Sequence, residues 1–174
     1  MKAHFLALLP PATVRCALAR CHSLQSSVRG ALTGQPTPPA DLHLTLVYVG
    51  RRIAIPQIAR AAGAVARRSR GFTLTLDHTG WWQRGGIAWV APSAPPERLV
   101  TLQAALVSAL EREGHHPDPR AYRPHVTLAR KASGPPTCPV IPDWPVDAFY
   151  LLDSDVEAPA GAPRYGVVRR FPLQ

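Results

Sequence analysis

At 174 residues with 46% hydrophobic content, the chain has enough apolar mass for a packed interior and needs no disulfide or metal to fold on grounds of size. No acidic or low-complexity tail argues for disorder, and no apolar run is long enough to span a bilayer. The formal charge of +9 excludes an acidic surface, and all but two of the 20 basic residues are arginines. The planar guanidinium suits phosphate oxygens, so the balance leans towards a polyanionic partner, although solvated arginines account for it equally well.

In chain order, residues 2–9 (KAHFLALL) are predicted to be a buried first strand. The apolar run is too short for a secretory h-region and ends in Pro10 and Pro11, which suits a strand entering a helix. Val14, Leu18, Cys21, Leu24 and Val28 then recur at steps of three and four, predicting an amphipathic helix that ends near Gly30. A Pro-rich loop (TGQPTPPAD) leads to the strand LHLTLVYV. Residues 56–70 are expected to form a second helix with Ile58, Ala62 and Val65 inward, closed by Gly71. FTLTLDHTG and GIAWVAP read as strands joined by a turn at residues 83–86. The cleanest helix spans 96–113, with Leu99, Leu102, Leu106 and Leu110 on one stripe and Gly114 after it. A polar loop (HHPDPRAYRP) feeds the strand HVTLAR. After another Pro-rich loop, DAFYLLDSDV and RYGVVRRFP read as closing strands.

Cys16, Cys21 and Cys138 have no metal-ligand or redox spacing, so they are expected to be buried free thiols in a reducing compartment. The expected location is cytoplasmic. No linker divides the chain, and residues 1–174 are expected to form a single domain of two interleaved lobes.

The chemistry concentrates in an echo: HLTLVYVG at residues 43–50 returns as HVTLAR at residues 125–130. Alternation along a strand puts His43 and Thr45 on one face and Leu42, Leu44 and Leu46 on the other. His125 and Thr127 likewise share a face opposite Val126 and Leu128. Seven histidines would produce only about 0.1 His-x-Thr-aliphatic matches by chance, and two occur. Both close a strand–helix–loop–strand unit, which predicts an α+β fold of two pseudo-symmetric lobes. Two antiparallel-rich sheets would flank a central cleft, with the helices packed outside.

Two imidazoles facing one cleft can take a proton from a nucleophile and give one to a leaving group near neutral pH. Two threonine hydroxyls between them can hold the non-bridging oxygens of a phosphate. Arg123 and Arg130 would add positive potential. Strict alternation puts Arg130 on the anchor face, so reaching the cleft would require a bend or bulge at the strand end. A metal hydrolase would have to draw on His115, His116 and Asp118 in the HHPDP loop, without an HExxH motif or a second carboxylate cluster. A non-catalytic RNA-binding module fits the charge but leaves the paired His–Thr motifs unexplained.

The pair HLTL and HVTL resembles the double His-x-Thr-x signature of the 2H phosphoesterase superfamily. FLALLPP, DLHLTLVYVG, GIAWVAP, YRPHVTLAR and the closing segment LLDSDVEAPAGAPRYGVVRRFPL are similar to its RNA 2',3'-cyclic phosphodiesterase branch, also called 2'-5' RNA ligase. The resemblance implies a hydrolase without metal or other cofactor that opens a terminal RNA 2',3'-cyclic phosphate to a 2'-phosphomonoester, with reversible 2'-5' ligation as a companion activity. His125 would be the general base and His43 the general acid. Thr45 and Thr127 would hold the phosphate, and Arg130 would contact phosphate or nucleotide. The implied partner is RNA with a cyclic phosphate end, tRNA halves among them. No membrane partner is implied, and the chain is expected to act as a monomer. Nucleotide-sized cyclic phosphates such as ADP-ribose cyclic phosphate are a rival substrate class. Asp41 departs from the asparagine usual in the first motif's lead-in and is expected to lie outside the mechanism. Aromatic stacking of the terminal base is implied, with Tyr48, Trp81, Trp82 and Tyr122 all open for it.

Overall fold

In the computed structural model, residues 2–26, 34–116, 118, 120–154 and 163–174 are described. The first strand, β1 (Ala3–Leu8), runs into α1 (Ala12–Ser26), where the Pro11 carbonyl accepts the Arg15 N–H and so starts the helix. The inward stripe is as expected over Val14, Leu18 and Cys21, while Val28 and Gly30 lie outside the described residues. The loop that follows holds a two-residue strand, β2 (Gln35–Pro36), and a 3-10 turn at Pro39–Asp41, then enters β3 (Leu44–Gly50).

Helix α2 (Ile55–Ala66) stops four residues short of the expected end. The reason is a competing partner: the Gln174 N–H donates to the Ser69 carbonyl, and the Gln174 carbonyl accepts the Gly71 N–H, so the C-terminus draws this backbone away. The long alternation at 72–80 is likewise split, into β4 (Phe72–Leu74) and β5 (His78–Trp82). Thr75 and Asp77 occupy the break, bonding Asp143 and Ser93, and the chain changes sheets between them. Strand β6 (Ile87–Ala91) and helix α3 (Glu97–Glu111) follow, and Gly114 closes the helix with a φ of 87°, a region favourable to glycine. Strands β7 (Val126–Arg130), β8 (Trp144–Val146), β9 (Ala148–Ser154) and β10 (Tyr165–Pro172) complete the chain. The tip expected for the DAFYLLDSDV strand, residues 155 and 156, lies outside the described residues. Pro145 hides β8 in the sequence, because proline reads as a strand breaker; it is tolerated in a two-stranded sheet opposite Thr73.

The class is α+β with two antiparallel sheets, one ordered β10-β9-β1-β3-β7-β6-β5 with β2 beside β7, the other pairing β4 with β8. The internal duplication is physical. β1–α1–β3 and β6–α3–β7 are matching units whose strands are antiparallel neighbours, and they meet at β3 and β7. The helices cross between the units, α1 packing on β7 and α3 on β3. Leu44, Leu46, Val126 and Leu128 pack into the same cluster as Leu18, Ile58 and Leu106, so the helices cover this face of the sheet. Burying such side chains contributes roughly 1.5–3 kcal/mol each.

The cysteine expectation is corrected. Cys21 and Cys138 are joined in a disulfide across 117 residues of sequence, because the loop after β7 brings Cys138 onto the buried face of α1. Cys16 is a free thiol but exposed. The cysteines therefore supply no argument for a reducing compartment. No helix among the described residues is long and apolar enough to cross a membrane.

Candidate active site

Between β3 and β7, Leu44 and Val126 are the one pair in register. Carried one step either way, that antiparallel register sets His43 beside Thr127 and Thr45 beside His125. Both anchors are fully buried on the helix side, so all four polar side chains share the opposite face. Each imidazole thus neighbours the hydroxyl of the other motif, related by a local two-fold through the Leu44–Val126 pair.

The backbone orients both rings in the same way. His43 Nδ1 lies 2.7 Å from the Asp41 carbonyl oxygen, and His125 Nδ1 lies 2.8 Å from the Arg123 carbonyl oxygen. A carbonyl can only accept, so Nδ1 carries the proton in each and Nε2 is left for a ligand. Aromatic rings flank each imidazole. Tyr165 meets His43 edge-on at 4.9 Å with Phe5 at 5.1 Å, and Trp82 meets His125 edge-on at 4.6 Å. Burial pushes both imidazoles below the ordinary histidine range, more than their carbonyl hydrogen bonds restore. The positive charge of Arg130 pushes in the same direction on both, which places its guanidinium within electrostatic reach of the pair.

That reach depends on a bulge. Trp89 pairs with Thr127 and Ala88 with Ala129, so Leu128 is an extra residue in β7. The bulge resets the alternation by one, and Arg130 leaves the strand on the Thr127 side rather than on the anchor side.

Where β3 and β7 part, a cavity of about 1330 Å³ opens beside Thr45 and His125. Arg51, Arg52, Arg120 and Arg123 line it, so part of the arginine excess is gathered near the site. Among the four aromatic candidates, Trp82 lines this cavity and touches His125, and Tyr48 stands 63% exposed on its wall. Trp81 is turned away, its Nε1–H donating to the Ala132 carbonyl at 2.9 Å. Tyr122 is mostly buried, its hydroxyl reaching the Thr45 carbonyl at 3.3 Å, and burial pushes its phenol well up.

Sequence reasoning missed Phe5, Tyr165 and the part taken by Asp41. Asp41 is buried, accepts the Arg164 N–H at 2.9 Å, and supplies the carbonyl that holds His43. Tyr165 carried no local signal, since it arrives from the far end of the chain. The HHPDP loop does not converge: His115 is buried, His116 is exposed, and Asp118 is paired with Arg120. Among the described residues no three His, Cys, Asp or Glu side chains gather to hold a metal.

Known proteins resemble the chain over most of its length. The model of the 2'-5' RNA ligase superfamily matches residues 13–158. The RNA 2',3'-cyclic phosphodiesterase of Escherichia coli K12 is 39% identical over 143 residues, covering 80% of each chain. The Thermus thermophilus protein of the same name is 31% identical over 183 aligned positions, 98% of this chain and 89% of that one. The crystal structure of E. coli LigT complexed with 3'-AMP superposes with a TM-score of 0.83 at 30% identity, covering 99% of this chain and 98% of the other. The chain belongs to the 2'-5' RNA ligase superfamily.

Proposed function

We propose that the chain hydrolyses terminal RNA 2',3'-cyclic phosphates to 2'-phosphomonoesters, with its own side chains as the only catalysts. The observation that carries this reading is the matched pair of imidazoles, each held through Nδ1 by the carbonyl two residues back, so that both Nε2 atoms are available to substrate. His125 takes a proton from water, the water oxygen bonds to phosphorus, and the P–O3' bond breaks. His43 donates its Nε2 proton to the departing O3'. The product is a 2'-phosphate beside a 3'-hydroxyl. Thr45 and Thr127 hold the non-bridging oxygens, and Arg130 offsets the charge that builds on them.

In the free site both imidazoles are held below the ordinary range, which suits a base and opposes an acid. A phosphate anion seated between them favours the imidazolium at His43, so substrate binding itself arms the acid. Substitution of a 5'-hydroxyl for water in the same step would give a 2'-5' linkage. The arginine-lined cavity exceeds what one phosphate needs, and it favours an RNA end over a mononucleotide-sized substrate.

The test is turnover of a short RNA ending in a 2',3'-cyclic phosphate, in the presence of EDTA, with the product identified by phosphorus NMR. A 2'-phosphate is expected, with higher kcat/KM on the oligonucleotide than on cyclic nucleotides. A 3'-phosphate product would reverse the assignment of the leaving oxygen. No turnover, or loss of turnover with EDTA, would remove the reading.

A further inference from the structure

The local two-fold makes equivalent positions of the two motifs comparable, and two residues before each histidine the equivalence breaks in charge. Asp41 stands before His43 and Arg123 before His125, each giving its backbone carbonyl to the imidazole. Their side chains differ in placement as well as sign. Arg123 is exposed, whereas Asp41 is 2% exposed. Asp41 Oδ1 accepts the Arg164 N–H at 2.9 Å, and Oδ2 is buried with no hydrogen-bond partner among the described residues. A buried carboxylate oxygen without a partner is costly, and a cation forming nearby would offset that cost.

From this geometry we infer that Asp41 is a positioning residue that assigns the acid role to His43, breaking the symmetry of an otherwise two-fold pair. The inference rests on the proposed acid–base reading. The groups around His43 are Asp41 from its own lead-in, His125 and Arg130 from the other motif, and the rings of Phe5 and Tyr165 from β1 and β10. Among the described residues, Asp41 is the one anion acting on His43. Its charge favours the imidazolium at His43, against the burial, His125 and Arg130, which oppose it. Among the described residues no carboxylate acts on His125, where burial and Arg130 favour the neutral ring against the Arg123 carbonyl hydrogen bond. Asp41 thereby biases the pair towards an imidazolium at His43 rather than at His125, while burial holds both rings below the ordinary range in the free site. The Arg164 anchor adds a geometric share, because it sets the start of β10, whose Tyr165 ring abuts His43.

Two substitutions separate charge from anchoring. Asp41→Asn keeps an oxygen for the Arg164 N–H and removes the charge, whereas Asp41→Ala removes both. In Asp41→Asn we expect NMR titration to show His43 protonating at lower pH than in the unaltered chain, with His125 little changed. The alkaline limb of kcat/KM should move to lower pH with it. At pH 8 the loss should be about three- to tenfold, a fraction of the 10²–10⁴ that acid–base catalysis contributes. Asp41→Ala should add a loss of thermal stability. An unmoved His43 titration in a folded Asp41→Asn chain would overturn the inference, and so would equal shifts at His43 and His125. The titration needs no substrate, so it stands or falls separately from failure of the phosphodiesterase reading, which the turnover of the unaltered chain decides.

Discussion

Leu44 and Val126 face each other at the one position where β3 and β7 pair, and each lies between the histidine and threonine of its own motif. The contact that joins the two halves of the sheet is therefore also the contact that sets His43 beside Thr127 and His125 beside Thr45. Leu44→Ala should cost about 2–5 kcal/mol, since the side chain is fully buried. Leu106→Ala in α3 should cost a similar amount. If the pair aligns the site, only Leu44→Ala will lower kcat in the fraction that remains folded. Equal kcat in the two variants would show that the pair is merely core.

Replacement of either histidine by alanine should reduce kcat/KM by about 10²–10⁴. The limbs of the pH–rate profile distinguish the roles. The His125 variant should lose the rising acid limb and the His43 variant the falling alkaline one. The same limb lost in both variants would contradict the assignment.

His43, His115 and His125 are all held below the ordinary histidine range, in each case chiefly by burial. Between those depressed values and about 6.5, the unfolded chain binds more protons than the folded one, so stability rises with pH across that window. Melting temperature should accordingly fall as pH is lowered from 7 to 5. A double His43→Gln, His125→Gln variant should show a shallower decline; an identical slope would refute the origin assigned to it.

Gly80 lies opposite Trp89, and a Cβ there would come within 2.1 Å of the indole. Trp89 in turn contacts Trp82, which contacts His125. Gly80→Ala should displace Trp89 at a cost of about 1–3 kcal/mol and alter turnover through Trp82. Unchanged tryptophan fluorescence and melting temperature would show that the ring is free to move aside.

Thiol titration of the native, unreduced chain should find Cys16 reactive and Cys21 and Cys138 silent. Reduction should lower stability by about 2–4 kcal/mol, as for other bonds that close long loops. Three reactive thiols in the unreduced chain would refute the pairing.

Local pattern was enough for much of this molecule. The strand period and the repeated His-x-Thr-x placed His43, Thr45, His125 and Thr127 on polar faces backed by leucine and valine, because alternation is a property of the backbone alone. The stripe of α3 and the duplicated strand–helix–strand order were legible for the same reason. What local pattern could not carry were pairings between distant segments. The C-terminal residue shortens α2, Trp144–Val146 forms a strand by meeting Phe72–Leu74, and Cys138 reaches Cys21 only once the loop after β7 is laid down. The fate of Arg130 belongs to this class, since the bulge that turns it exists only in the pairing of β7 with β6. So does Asp41, whose burial depends on Arg164 arriving from the other end of the chain. A sequence states which face of a strand a side chain occupies; which strand lies beside it, and hence what charge a buried imidazole meets, is settled only when distant segments pack.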